Sequence, residues 1–317
     1  MRFFRSLDAC ILLPAALLVA WTGSAQGIPA APRLQASQTL IYQLETGGYR
    51  STKVESRVTS PQSPPGTDLN SLCLLQVSVV RVTTSGFQLK TYLSEKASAL
   101  SRGAALSDTE SRPDKLVEVS ISPDGSASNI RGLDQLSPSQ QLAWNSWLSR
   151  FTSSMTFPKA GVHRGQRWET SEPERAASPI GGLSWKRKYE YVKQEPCEPS
   201  ADQAAKGKAY KSQPAANLCA VVFVRAQLQQ KSSAKDATPP DYKLRGLTTH
   251  GIATGTNETI LYISMITGIM VRSTEDVQQS MDATVGLEDG SNQVRYVIEA
   301  TSHTQIQLLP DVPQGVP

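Results

Sequence analysis

The stretch LCLLQVSVVRVTT (72–84) decides the class of this fold. Cys73, Leu75, Val77 and Val79 fall on one face at a period of two, the spacing of a half-buried strand. At Val80 and Val82 the apolar pattern moves to the other parity, which predicts a β-bulge near Val79. Gly86 then turns the chain into a second alternating run, FQLKTYL (87–93). Towards the N-terminus, 39–44 and 52–58 are also β-rich, with Gly47 and Gly48 between them as turn residues. The prolines of 59–66 (TSPQSPPG) mark a loop. Towards the C-terminus, 117–121 leads into Pro123-Asp124-Gly125, a strong turn signal.

The second half returns to the same pattern. In 184–193 (SWKRKYEYVK), Trp185, Arg187, Tyr189 and Tyr191 share one side, and 218–228 (LCAVVFVRAQL) has the apolar density of a central strand. A charged loop fills 229–243, and strands are expected over 244–254, 258–264, 268–274 and 294–309, with a hairpin turn at Thr267-Gly268. One helix interrupts the strands. Ser137 is its N-cap, Pro138 its first position, and Gln140 completes a capping box. Trp144, Trp147, Leu148, Phe151 and Met155 form its apolar stripe. That stripe reads as packing against a sheet; the sharper alternative makes Trp144, Trp147 and Phe151 ligand-binding residues.

The fold class that follows is mainly β (α+β): a curved antiparallel sheet or half-barrel with one amphipathic helix packed on it. Residues 38–309 form one β-rich domain, with halves 38–135 and 157–309 joined by the helix of 137–155. Asn70-Ser71-Leu72-Cys73 is echoed by Asn217-Leu218-Cys219, and Ile121-Ser122 by Ile263-Ser264, so the halves are either related units or similar by chance.

The ends carry the address. Arg2 and Arg5 precede an apolar run from Ala9 to Ala20, and Gly23-Ser24-Ala25 offers a cleavage site, so 1–25 reads as a signal peptide. A membrane anchor is the competing reading, but the run is shorter than the roughly 20 residues of a span. Residues 26–37 read as a flexible lead-in and 310–317 as a Pro-rich tail. An exported chain, periplasmic or extracellular, meets oxidising conditions. Cys197 and Cys219 bracket a polar loop, and a disulfide between them would contribute on the order of 3 kcal/mol. The alternative leaves both thiols, and Cys73, reduced.

A resemblance rests on Pro158, Val162, Gly165 and Trp168, with Thr267-Gly268 further on. The passage resembles a Pro-x-x-x-Val-x-x-Gly-x-x-Trp motif of exported bacterial β-rich proteins of unknown function, in which a helix precedes the motif and a Thr-Gly hairpin follows. In outline the chain also looks like the LolA-type lipoprotein carriers, whose antiparallel sheet curls around helices to hold acyl chains. The resemblance implies a fold and a compartment, and it transfers no catalytic residue. Read by themselves, Gly165 supplies a turn and Trp168 a buried ring, which is a structural role.

Signals for chemistry are sparse. His163, His250 and His303 lack ligand spacing, so no metal is expected. Ser232 and Lys235 match S-x-x-K without its partner motifs, and no G-x-S-x-G or phosphate loop occurs. Glu169, Glu172 and Glu174 read as a solvated loop cluster. Lys186, Arg187 and Lys188 could meet an anionic surface or guard a sheet edge. Asn257-Glu258-Thr259 is a sequon, meaningful only in a glycosylating host. A formal charge of +4 is too small and dispersed for nucleic acid. The expectation is an exported non-catalytic binding protein of the cell envelope, without cofactor, holding an apolar or lipid-like ligand between sheet and helix. The alternative is an interaction or envelope-assembly component partnered by protein alone, with an unrecognised enzyme third.

Overall fold

A computed structural model of the chain describes residues 32–56, 66–68, 70–95, 115–158, 162–174, 178–197 and 218–309. The leader, the loop of 57–65, the polar segment of 198–217 and the Pro-rich tail lie outside these residues. Twelve strands form one sheet. The first six are β1 (Thr39–Ser56), β2 (Thr67–Asp68), β3 (Ser71–Thr83), β4 (Gly86–Glu95), β5 (Lys115–Ile121) and β6 (Ala127–Arg131). The helix α1 (Pro138–Ser153) follows. Then come β7 (Arg167–Pro173), β8 (Leu183–Pro196), β9 (Leu218–Gln230), β10 (Leu247–Ser264), β11 (Met270–Leu287) and β12 (Val294–Leu308).

The order across the sheet is β6-β5-β4-β3-β1-β12-β11-β10-β9-β8-β7, with β2 beside β1. Every pairing is antiparallel, so the chain is an up-and-down meander whose first and last strands meet in the middle. The helix joins the two end strands β6 and β7, which do not pair with each other. On one side of α1, Trp144 Nε1 donates to Thr91 Oγ1 of β4 at 2.9 Å. On the other, Arg187 Nη2 of β8 donates to Ser149 Oγ at 3.2 Å. One helix can touch both wings only because the sheet curls around it. The expected curved, unclosed sheet with one helix is therefore what the chain forms.

Local expectations hold where the chemistry is local. Ser137 Oγ accepts from the Gln140 N–H and Gln140 Oε1 from the Ser137 N–H, at 3.3 and 2.9 Å. The β3 register shifts between Val79 and Arg81, where the change of parity predicts a bulge. Gly268 adopts φ 68° in the turn between β10 and β11. Gly125 adopts φ 83° in the Pro-Asp-Gly turn, which abuts the end of α1. A Cβ there would lie 2.8 Å from the Thr152 carbonyl oxygen. Gly125→Ala is expected to cost at least about 1–2 kcal/mol, read as a lowered urea midpoint, because left-handed backbone and a backbone clash combine.

Four expectations meet a different outcome. Gly47 and Gly48 make no turn, since β1 runs through them for 18 residues. Their lack of a side chain serves close approach instead: a Cβ on Gly48 would meet the Thr301 carbonyl of β12 at 2.9 Å. Likewise β10 continues through Gly255, and β11 extends to Leu287, well past 274. The strand at 184–193 is not an edge strand, because β7 covers it. The echoed residues take different places: Ile121 sits on β5, two strands from Cys73, whereas Ile263 pairs directly with Ala220 beside Cys219.

The main core lies inside the curl. Trp144, Trp147, Leu148 and Phe151 meet Tyr42, Leu44, Leu75, Val77, Leu89 and Leu93, all essentially inaccessible. A smaller cluster of Ile180, Ala237, Ala253 and Ala283, with Leu183, Leu228 and Met281 against it, lies where the long strands run on. The disulfide Cys197–Cys219 fastens the end of β8 to the start of β9, and Cys73 is buried in the main core. Among the described residues no helix is long and apolar enough to cross a membrane.

Candidate functional site

The concave face changes character along the strands, and the register makes the change visible row by row. The innermost row, Leu44, Ile306, Leu261, Val222 and Tyr191, is apolar apart from Ser273. The next row is polar: Thr46, Thr304, Glu275 and Thr259 lie side by side on β1, β12, β11 and β10, and all are buried. Against them stands the second face of α1, made of Ser146, Ser149, Arg150 and Ser153 rather than of solvent-seeking Lys and Glu.

Arg150 pairs through Nη2 with Glu275 Oε1, and both side chains are buried. Asn257 Nδ2 donates to the same carboxylate oxygen, while Thr259 Oγ1 donates to Asn257 Oδ1 at 2.7 Å. Burial, and then the positive charge of Arg187, push the Arg150 guanidinium well below its ordinary value; Glu172 and Tyr189 oppose them. Arg187 is 6% exposed, and its Nε lies 3.6 Å from Glu172 Oε2, beyond hydrogen-bonding distance. Trp185 Nε1 donates to Glu174 Oε2 at 2.6 Å. Together these groups line a polar recess of about 190 Å³ between α1, β7, β8, β10 and β11.

The recess adjoins a second space. An apolar groove of about 250 Å³ is lined by Leu142, Leu183, Leu228, Val277, Met281 and Ile298, among others. Leu142, Glu174, Val277, Gln279 and Ser302 belong to the walls of both. The arrangement is an apolar groove that meets buried charged and hydroxyl groups at one end. That is the composition of a small-molecule site, mostly apolar with a few convergent polar groups.

The residues singled out in the sequence fall elsewhere. Trp144, Trp147 and Phe151 are wholly buried in the main core and border neither space. Trp147 stacks on Phe151 with ring centroids 5.0 Å apart, and its Nε1 has no hydrogen-bond partner among the described residues. Of the motif residues, Val162 is buried, and Gly165 (φ 82°) donates its N–H to the Tyr191 carbonyl at 2.7 Å. Trp168 stacks on Tyr189 at 5.1 Å and meets Phe157 edge-on at 5.2 Å, while Pro158 stands half-buried beyond them.

The remaining candidates disperse. His163 is exposed, His303 meets Asp276 at 2.8 Å, and His250 meets the Lys235 carbonyl, so the histidines do not converge. Among the described residues no cluster of potential metal ligands occurs. Ser232 Oγ donates to the Gly181 carbonyl at 2.7 Å, away from any base. Lys186 and Lys188 bridge Glu169 on the convex side, which spends their charge within the sheet. Glu172 and Glu174 are not a solvated loop cluster: alternation along β7 turns them inward and Glu169 outward. Asn257 is buried beside the polar row, so its sequon is closed to a glycan on the folded chain.

No family model and no curated protein sequence matches the chain. Solved structures similar to it include an outer membrane channel from Pseudomonas putida F1, at 9% identity and TM-score 0.21, covering 88% of this chain and 98% of that one. Others are Ail, the attachment invasion locus protein of Yersinia pestis (6%, TM-score 0.12, 86% and 99%), and Salmonella typhi OmpF in complex with daunomycin (6%, TM-score 0.18, 85% and 99%). At these scores the likeness carries no conclusion about this chain.

Proposed function

We propose that this chain is an exported, non-catalytic envelope protein that holds an apolar or lipid-like ligand between the sheet and α1. The observation that carries this reading is the junction of the apolar groove with the polar recess on one concave face. The residues that would touch the ligand are Leu142, Leu183, Leu228, Val277, Met281 and Ile298. Trp144, Trp147 and Phe151 would support the groove by fixing the helix. The signal peptide expected at 1–25 supplies the compartment. A second reading, an assembly component without a small-molecule ligand, draws on the end strands β6 and β7, each paired on one side only among the described residues.

Native mass spectrometry of the protein purified from its own host separates the two. A bound mass in the lipid range, absent from Met281→Arg, is the expected result. A clean apo mass together with a stoichiometric protein partner would favour the second reading. In vitro, the fluorescence of N-phenyl-1-naphthylamine should rise on binding to the wild type. Met281→Arg, which sets a charge in the apolar wall, should weaken that binding by about tenfold or more.

A further inference from the structure

The sheet has a second surface, and its middle is unlike its margins. Where Ala253, Asn257, Glu275 and Thr304 turn inward and are buried, the residues between them are exposed on the outer face. Tyr49, Thr301, Gln278, Thr256 and Gln227 lie side by side there, one on each of five adjacent strands. Glu299, Ser280 and Thr254 form the next row. With Gln229 these two rows line an open groove of about 700 Å³. On either side the face is charged, and the charges are spent on one another. Beyond the first row His303 meets Asp276 at 2.8 Å and Arg225 meets Glu258 at 3.4 Å. Beyond the second, Arg295 bridges Asp282 and Glu55 at 2.6 and 3.2 Å. Between these margins Glu299 is the one charged residue among the described residues lining the groove.

That pattern selects a class of ligand. An anionic polymer would meet Glu299 and no lining cation, and a cationic one would find a single carboxylate. A protein partner would need the apolar centre of a stable interface, and these outward positions are amides and hydroxyls. Such groups both donate and accept, as the hydroxyls of a sugar do. Half-exposed Tyr49 closes one end of the row, and Gly66 lies so near that a Cβ there would collide with the Tyr49 Oη. The ring is therefore a fixed wall with an apolar face and a polar tip, suited to the C–H face of a sugar. Neighbouring strands lie about 4.8 Å apart, so the row from Gln227 to Tyr49 spans roughly 19 Å, with one polar group at each step of about a sugar's length. We infer that this outer groove binds a neutral, extended oligosaccharide of about four units, with its hydroxyls on Gln227, Thr256, Gln278 and Thr301 and one ring on Tyr49. The site is separate from the groove beneath α1, on the opposite face of the same strands.

Titration calorimetry of the full mature chain tests it, with cellotetraose and tetra-N-acetylchitotetraose as neutral probes and tetragalacturonate as the charged one. At least one neutral tetrasaccharide should bind with a Kd of about 1 mM or below, and tetragalacturonate tenfold or more weaker. Binding of neither neutral probe, or equal affinity for tetragalacturonate, would overturn the inference. The double variant Thr256→Ala/Gln278→Ala removes two exposed side chains at the centre of the band. It should weaken sugar binding by about fivefold or more and leave the affinity for N-phenyl-1-naphthylamine unchanged. Unchanged sugar affinity in that variant would overturn the inference. Met281→Arg should do the reverse, losing the dye and keeping the sugar, so this inference and the function proposed above fail separately. A dimer in sedimentation that the double variant dissolves would overturn the inference in favour of a second copy of the chain on this face.

Discussion

Arg150→Met is expected to destabilise the protein by about 3–5 kcal/mol, the cost of leaving one member of a buried ion pair without its partner. The pair sits at the centre of the concave face, where Glu275 receives Arg150 and Asn257 on one oxygen. Urea denaturation should show the loss as a lowered midpoint with an unchanged slope. The double variant Arg150→Met/Glu275→Leu should regain most of it, because two apolar groups of similar volume remove both desolvation costs together. A loss below about 1 kcal/mol in the single variant would mean that the carboxylate is hydrated and the recess open to bulk water.

Trp147→Ala is the other large effect, at about 3–5 kcal/mol for removing a buried aromatic side chain. The ring lies between Tyr42 of β1 at 6.1 Å, Trp144 at 6.2 Å and Phe151 at 5.0 Å. Its Nε1 makes no hydrogen bond, so Trp147→Phe should cost much less than Trp147→Ala. Trp144 differs in donating to Thr91, and Trp144→Phe should therefore lose that bond as well as volume. Because neither ring borders the groove, Trp147→Phe should bind N-phenyl-1-naphthylamine with wild-type affinity. A large drop in dye affinity at full folding would return Trp147 to the ligand-contacting set.

The gap between sequence and structure runs through particular residues. Ser137 and Gln140 cap a helix by contacts three positions apart, and the shift at Val79 is written in the parity of neighbouring side chains. Gly47 and Gly48 carry a signal with two meanings, since the lack of a side chain suits both a sharp turn and a close neighbouring strand. Only the arrival of β12, some 250 residues away in sequence, selects the second. The polar side of α1 is similar. Ser146, Ser149, Arg150 and Ser153 read as a solvent face while the helix is pictured on a flat sheet. Their small size and near lack of charge are the clue that a second wall stands there.

What the sequence determined alone was therefore the local physics: the β class, the capped helix, the bulge, the Thr-Gly hairpin and the pairing of Cys197 with Cys219 as one of two options. Each depends on residues a few positions apart, or on spacing that backbone geometry converts directly into a face. The curl of the sheet, by contrast, brings β4 and β8 to opposite sides of one helix. That step makes Glu275 the partner of Arg150 and leaves an apolar groove beside buried charged groups. The recess belongs to the tertiary structure because its central pair, Arg150 with Glu275, joins residues more than a hundred positions apart in the chain, and no period or motif records that contact.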